Sequence, residues 1–231
     1  MPQLMKFMAE KLTYRGQHNM VTTQQYKTDE YGKDILLKDD KHQVMMQWEK
    51  SLMKKCIDEL NPINGDVLEI GFGMGYSAKQ IQKYKPKSHT IIEMDSMVIN
   101  KAKTDLGFHP TLGKYENVKW IHGTWQEKLN ELGKFDYIFF DDYPLEQPKD
   151  DFQKKLVAER FFMFIDICLD SHLNDFGKIS GYLHDPNNTF GERVVSGRNV
   201  KYKEKYIDLE VPDNCNYYRD DKGIIPIITK I

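Results

Sequence analysis

The chain has 231 residues, 40% of them hydrophobic, and 33 Lys and Arg against 35 Asp and Glu give a formal net charge of -2. That length suits one domain, or one domain with an N-terminal extension, and is enough to bury a sizeable core. The near-neutral balance argues against a nucleic-acid partner, which normally demands a basic stripe, and no apolar run reaches membrane-spanning length.

Residues 1–40 are polar and lysine-rich, with weak helical character at 4–12, and read as a flexible N-terminal extension or a lid. Lys6, Glu10 and Lys11 interrupt the apolar stretch that a secretory leader requires. Cys56, Cys168 and Cys215 lie far apart with no C-x-x-C pair, as free thiols in a reducing compartment do. The expected location is therefore cytoplasmic. The domain proper is expected over 41–231, beginning with a helix at about 42–60. There Val44, Trp48, Leu52, Cys56 and Leu60 form one i+4 row beside Met45, Met53 and Ile57, and Asn61-Pro62 and Asn64-Gly65 stop it. Glu49 falls on the apolar side of that helix. It is either a carboxylate turned toward a cation or polar cavity, or a helix-edge residue reaching solvent.

Strands and helices then alternate. Strands are expected at 66–70, 89–94, 118–123, 135–141, 178–183, 202–211 and 224–230, and helices at 75–84, 96–106, 125–132 and 151–172. Such alternation gives a parallel sheet covered on both faces. The last two strands have no helix-sized gap between them and should pair antiparallel. The most informative stretch is Val67-Leu68-Glu69-Ile70-Gly71-Phe72-Gly73-Met74-Gly75, a short buried strand breaking into three alternate glycines. Without Cβ atoms, the glycines let the backbone approach a bound molecule. Twenty-two residues after Gly71, Glu93 ends the next parallel strand, where a carboxylate can hold a ribose diol. Glu69 either holds the loop through backbone N–H groups or is a strand-end charge. Asp141 and Asp142 emerge where the fourth strand ends, at the same carboxyl edge. Asp142 fits a turn cap or solvated charge better than Asp141 does.

The spacing G-x-G-x-G differs from the G-x-G-x-x-G of dinucleotide folds and resembles the first motif of class I S-adenosylmethionine-dependent methyltransferases. This resemblance implies an α/β, Rossmann-like fold with a seven-stranded, mostly parallel sheet, a C-terminal antiparallel hairpin and helices on both faces. Two carboxylates converging beside a methyl donor suit a guanidinium, a planar cation that pairs with carboxylates in a fork. Val44-Met45-Met46-Gln47-Trp48-Glu49, the glycine stretch, Ile91-Ile92-Glu93, Gly123-Thr124-Trp125-Gln126 and 135–144 occur in the order found in one family. From about Val44 to the C-terminus the chain resembles the guanidinoacetate N-methyltransferases, a family that also includes arginine δ-N-methyltransferases of fungal type. Residues 211–218 lean toward the guanidinoacetate branch and residues 45–55 toward the arginine branch.

The resemblance implies that Met45, Glu69, Gly71, Phe72, Gly73, Met74, Gly75, Tyr76, Ser77, Glu93, Met94 and Asp95 line the cofactor pocket. Trp125 and Gln126 would border the adenine, although the Trp125 ring is equally suited to packing a helix start. Glu49 and Asp141 would grip the guanidinium, with Asp141 also beside the cofactor and the stronger candidate for proton acceptor. Tyr143 would wall the substrate pocket. His184 and Asp185 would face the rest of the substrate, Asp185 meeting an α-amino group or capping the next helix.

The implied reaction is an in-line methyl transfer, without metal, to guanidinoacetate or free arginine as a small-molecule partner. An arginine side chain in a protein is the second reading, and a non-catalytic S-adenosylmethionine-binding module is a rival from another class. An NAD-dependent oxidoreductase is disfavoured by the glycine spacing.

Overall fold

A computed structural model describes residues 24–142, 151–181, 190–218 and 220–231, with side chains described for all of these except 151–158. The chain first forms a small antiparallel sheet of β1 (Gln24–Thr28), β2 (Asp34–Lys38) and β3 (His42–Met46). Helix α1 (Glu49–Leu60) leads into β4 (Asp66–Ile70), α2 (Tyr76–Lys83), β5 (Ser88–Glu93), α3 (Ser96–Asp105) and β6 (Val118–His122). Then come the short α4 (Trp125–Lys128), β7 (Phe135–Phe140), α5 (Asp151–Ile167), β8 (Leu173–Gly181), α6 (Phe190–Val195), β9 (Val200–Asp208) and β10 (Lys222–Lys230).

The main sheet has seven strands in the order β6-β5-β4-β7-β8-β10-β9. Strands β4 to β8 run parallel, and β10 lies antiparallel between β8 and β9. Successive side chains of a strand point to opposite faces, and here both faces are covered, so the strands are apolar almost throughout. Val67, Ile91 and Phe139 enter the core beneath α1 and α2. Leu68, Ile70, Ile92, Ile138 and Phe140 enter the other, beneath α5, with Phe161, Phe164 and Ile165.

Two expectations are corrected. The helix expected at 42–60 begins only at Glu49, because residues 42–46 form β3, which pairs with β2. The i+4 row of Val44 and Trp48 satisfies a strand followed by a turn as well as it satisfies a helix. The Met46 N–H settles the matter by donating to the Glu49 carboxylate at 2.9 Å instead of to a carbonyl four residues back. Part of the segment read as irregular is accordingly ordered into β1 and β2. Helix α6 was also absent from the expected elements. The predicted stop at Asn61 holds: it adopts a left-handed φ of 53° and its N–H closes on the Ile57 carbonyl at 2.9 Å.

Candidate active site

At the carboxyl edge of the sheet the chain leaves β4 between two parallel neighbours. Gly71 N–H donates to the Ile92 carbonyl at 2.9 Å, and Asp141 N–H donates to the Ile70 carbonyl at 3.0 Å. These two bonds place the glycine loop, the end of β5 and the start of the post-β7 segment side by side. Gly71 has a φ of 79°, and a Cβ there would lie 2.2 Å from the Asp141 carbonyl oxygen. Gly73 has a φ of 52°, and its Cβ would meet the Met45 sulfur at 2.7 Å. Positive φ strains any residue with a Cβ, so the turn depends on glycine before any ligand is considered.

The small N-terminal sheet fastens this loop. Tyr26 Oη donates to the Gly73 carbonyl at 2.7 Å, and the Met45 sulfur accepts from Met74 N–H at 3.2 Å. Neither Tyr26 nor its partner carries a local pattern that marks the contact, so sequence reading did not find it.

Carboxylates converge on the loop. Buried Glu93 accepts from Phe72 N–H at 2.9 Å and from Asp95 N–H at 2.8 Å. Burial, the larger effect, holds its pKa above the usual carboxylate value against those two bonds. A carboxylate has about four acceptor sites, so these contacts leave lone pairs for hydroxyl donors. Glu69 is fully buried and takes the Ser77 hydroxyl and His89 Nε2, the latter at 2.8 Å. It therefore ties α2 and β5 to β4, while Glu93 does the backbone holding that was considered for Glu69.

Asp141 follows directly on β7. Burial, then the charges of Glu69 and Glu93, push its pKa up to about 7. Glu49, at the first turn of α1, is 4% exposed and accepts from Met46 N–H and the Tyr217 hydroxyl. Burial, then the Asp141 charge, raise it to about 8 against those two hydrogen bonds. The structure thus brings Glu49 and Asp141 within electrostatic reach of each other. Among the described residues no Lys or Arg forms an ion pair with either. Two buried carboxylates without a basic partner among the described residues are costly to ionise unless a cation joins them.

The wall includes side chains that the sequence reading had not connected to the site. The Trp48 ring lies 6.4 Å from Tyr217 and 5.7 Å from Tyr218, centroid to centroid. Its Nε1 is buried without a partner, as is the Tyr76 hydroxyl just beyond Gly75. Such orphaned donors flanking the carboxylates suit a site that takes polar ligands. Tyr217 is separated from Glu49 by 168 residues, and only the resemblance of its surrounding stretch singled it out.

Other expected site residues take up distinct positions. Asp95 caps α3, accepting from Met97 N–H at 2.8 Å and Val98 N–H at 3.2 Å, and the Met94 carbonyl meets His122 Nε2 at 3.0 Å. Trp125 is buried edge-on against Phe140 and Phe164, at the start of α4. Its Nε1 donates to Asp142 at 2.7 Å, and Arg160 pairs with the same carboxylate. Asp142 is thus a partly buried ion-pair member and not a solvated charge. Gln126 follows at the same helix start, half-buried. Tyr143, His184 and Asp185 lie outside the described residues. Among the described residues, no helix is long and apolar enough to cross a membrane, and no group of His, Cys, Asp and Glu is placed to hold a metal ion.

The family described as guanidinoacetate N-methyltransferase matches residues 17–231. A protein arginine N-methyltransferase 2 from Saccharomyces cerevisiae is 30% identical over 212 residues, covering 82% of this chain and 49% of its own length. Its counterpart from Candida glabrata is 29% identical over 214 residues, covering 83% and 50%. The chain spans about half the length of the curated relatives it matches.

Spermidine synthase from Thermotoga maritima superposes with a TM-score of 0.62 at 16% identity, over 94% of this chain and 72% of its own. A methyltransferase from Pyrococcus furiosus superposes at 0.54 with 18% identity, over 78% and 82%. These likenesses show the fold, the Rossmann-like sheet of class I methyltransferases. The chain belongs to the guanidinoacetate N-methyltransferase family of S-adenosylmethionine-dependent N-methyltransferases.

Proposed function

We propose that this member of the guanidinoacetate N-methyltransferase family methylates a guanidino nitrogen of a small molecule, guanidinoacetate or free arginine. The observation that carries the reading is the buried pair Glu49 and Asp141, raised to about 8 and about 7 with no basic side chain among the described residues paired to either. The residues present also fit the cofactor. Glu93 retains acceptor capacity beside the glycine loop, and the orphaned donors of Trp48 and Tyr76 flank the same edge. When bound, S-adenosylmethionine supplies an electrophilic sulfonium methyl group.

The chain's own part is to hold and deprotonate the acceptor. A free guanidinium has a pKa of about 12.5–13.8 and so offers almost no neutral nitrogen near pH 7. Glu49 and Asp141 grip it through fork-like N–H···O bonds, which fix its plane and orient one nitrogen. As that nitrogen commits its lone pair to the new N–C bond, its proton passes to Asp141. Burial and the neighbouring Glu69 and Glu93 charges raise the basicity of the Asp141 carboxylate, which favours its taking that proton. Trp48 and the two tyrosines packed against it shield Glu49 from water, which strengthens both contacts.

A second reading places the guanidino group on an arginine side chain of a protein. It is favoured by the name of the relatives, protein arginine N-methyltransferase 2. A methyl-transfer assay with labelled S-adenosylmethionine against guanidinoacetate, arginine, agmatine and an arginine peptide separates the two. Turnover of a small acceptor supports the first reading, and turnover of the peptide alone supports the second. Silence across the panel, with cofactor binding intact, would sink both and favour a binding module. The expected setting is the cytoplasm, with no nucleic-acid or membrane partner.

A further inference from the structure

A second candidate site lies beside α2, lined by no carboxylate. A cavity of about 410 Å³ opens between α1, α2 and the segment around Lys114. Five lysines line it, namely Lys50, Lys54, Lys79, Lys83 and Lys114, together with Tyr76. In a chain whose formal net charge is -2, this is a marked concentration of positive charge.

The nearby acids do not neutralise it. Asp58 pairs with Lys54 at 2.5 Å, and its carboxylate is further occupied by Gln80 and Tyr84 at 2.5 and 2.7 Å. Lys83 meets only the neutral Gln80 side-chain oxygen, at 2.8 Å, and Lys114 lies over the Tyr115 ring at 5.3 Å. Neither Lys50 nor Lys79 forms an ion pair among the described residues. Lys79 is half-buried, and burial followed by the Lys50 charge lowers its pKa against the weaker pull of Asp34. Tyr76 and Tyr115 complete the lining with Gln80 and Gln82.

We infer that this cavity binds a small, phosphate-rich anion, with Lys50, Lys79, Lys83 and Lys114 around its oxygens. Lysine serves as a point-charge partner for phosphate, and several like charges around one cavity need a multiply charged ligand. The volume is that of a small-molecule pocket, and the overall charge balance disfavours a nucleic-acid chain. Because Tyr76 directly follows Gly75 of the glycine loop, the site adjoins the active site without sharing its carboxylates.

Calorimetry at physiological ionic strength, with inorganic tripolyphosphate and with ATP as probes, tests the inference. The expected result is saturable one-to-one binding of tripolyphosphate. Lys50→Gln/Lys79→Gln should weaken it by about tenfold or more, because two of the surrounding charges are lost. The exposed pair Lys119→Gln/Lys201→Gln should leave it unchanged. ATP binding as tightly as tripolyphosphate would assign recognition to the phosphates, and tighter ATP binding would add a contact to the nucleoside. Saturating S-adenosylhomocysteine should alter the affinity by no more than a few-fold. No saturable binding, equal loss in both double variants, or full competition by S-adenosylhomocysteine would overturn the inference. The last outcome would place these lysines in the cofactor pocket. Every arm reads binding and is independent of which acceptor is methylated.

Discussion

Asp141 acquires its chemistry from position more than from residue type. Its backbone N–H is tied to Ile70, so the side chain stays beside the loop, where burial, and then the charges of Glu69 and Glu93, make its ionisation costly. Asp141→Asn keeps shape and removes the proton acceptor. Turnover should fall by about 10²-fold or more, with cofactor affinity within a few-fold of the parent by calorimetry. Wild-type-like turnover would remove the assigned role. Glu49 depends on a partner far away in sequence. The Tyr217 hydroxyl lowers the Glu49 pKa against burial, so Tyr217→Phe should raise it further and cost about 1 kcal/mol of stability. The pH profile of acceptor binding should shift to the alkaline side, and an unshifted profile would make Tyr217 merely structural. Asp141 was legible as a carboxylate where an apolar strand ends, and Glu49 as a carboxylate on the apolar side of a helix. The tyrosine was not, because no periodicity links positions 168 residues apart.

At the scale of elements, the alternation of strands and helices was readable because a parallel sheet covered on both faces demands apolar strands at helix-sized intervals. What escaped was the N-terminal sheet. Its strands are short and half-exposed, and the Val44–Trp48 spacing mimics a helical row. That sheet matters to the loop, because Tyr26 and Met45 both reach it. The two glycines they surround should respond differently to alanine. Both substitutions strain a positive φ, at about 1–2 kcal/mol each. At Gly71 the new methyl also meets a backbone carbonyl at 2.2 Å, whereas at Gly73 it meets a methionine side chain that can turn away. Gly71→Ala should therefore lower the thermal midpoint more than Gly73→Ala and abolish cofactor binding. Equal losses would show that φ alone limits the loop.

For the whole molecule, the acidic pocket sets a pH dependence whose sign follows from the raised values. In the unfolded chain both carboxyls lose their protons near their ordinary values, about 4. In the folded chain Asp141 and Glu49 keep them until about 7 and about 8. Between those limits the native state binds more protons than the unfolded state, so this pair's contribution to stability falls as pH rises and levels off above about 8. A guanidinium in the pocket reverses the balance, because it favours both ionised forms. Acceptor binding should then strengthen with pH up to about 8 and, near pH 6, release protons from the pair. Calorimetric titrations of the acceptor in two buffers of different ionisation heat measure that release directly. Asp141→Asn should remove part of it, and a parent protein that binds the acceptor without releasing protons would show that the pair is already ionised before the cation arrives.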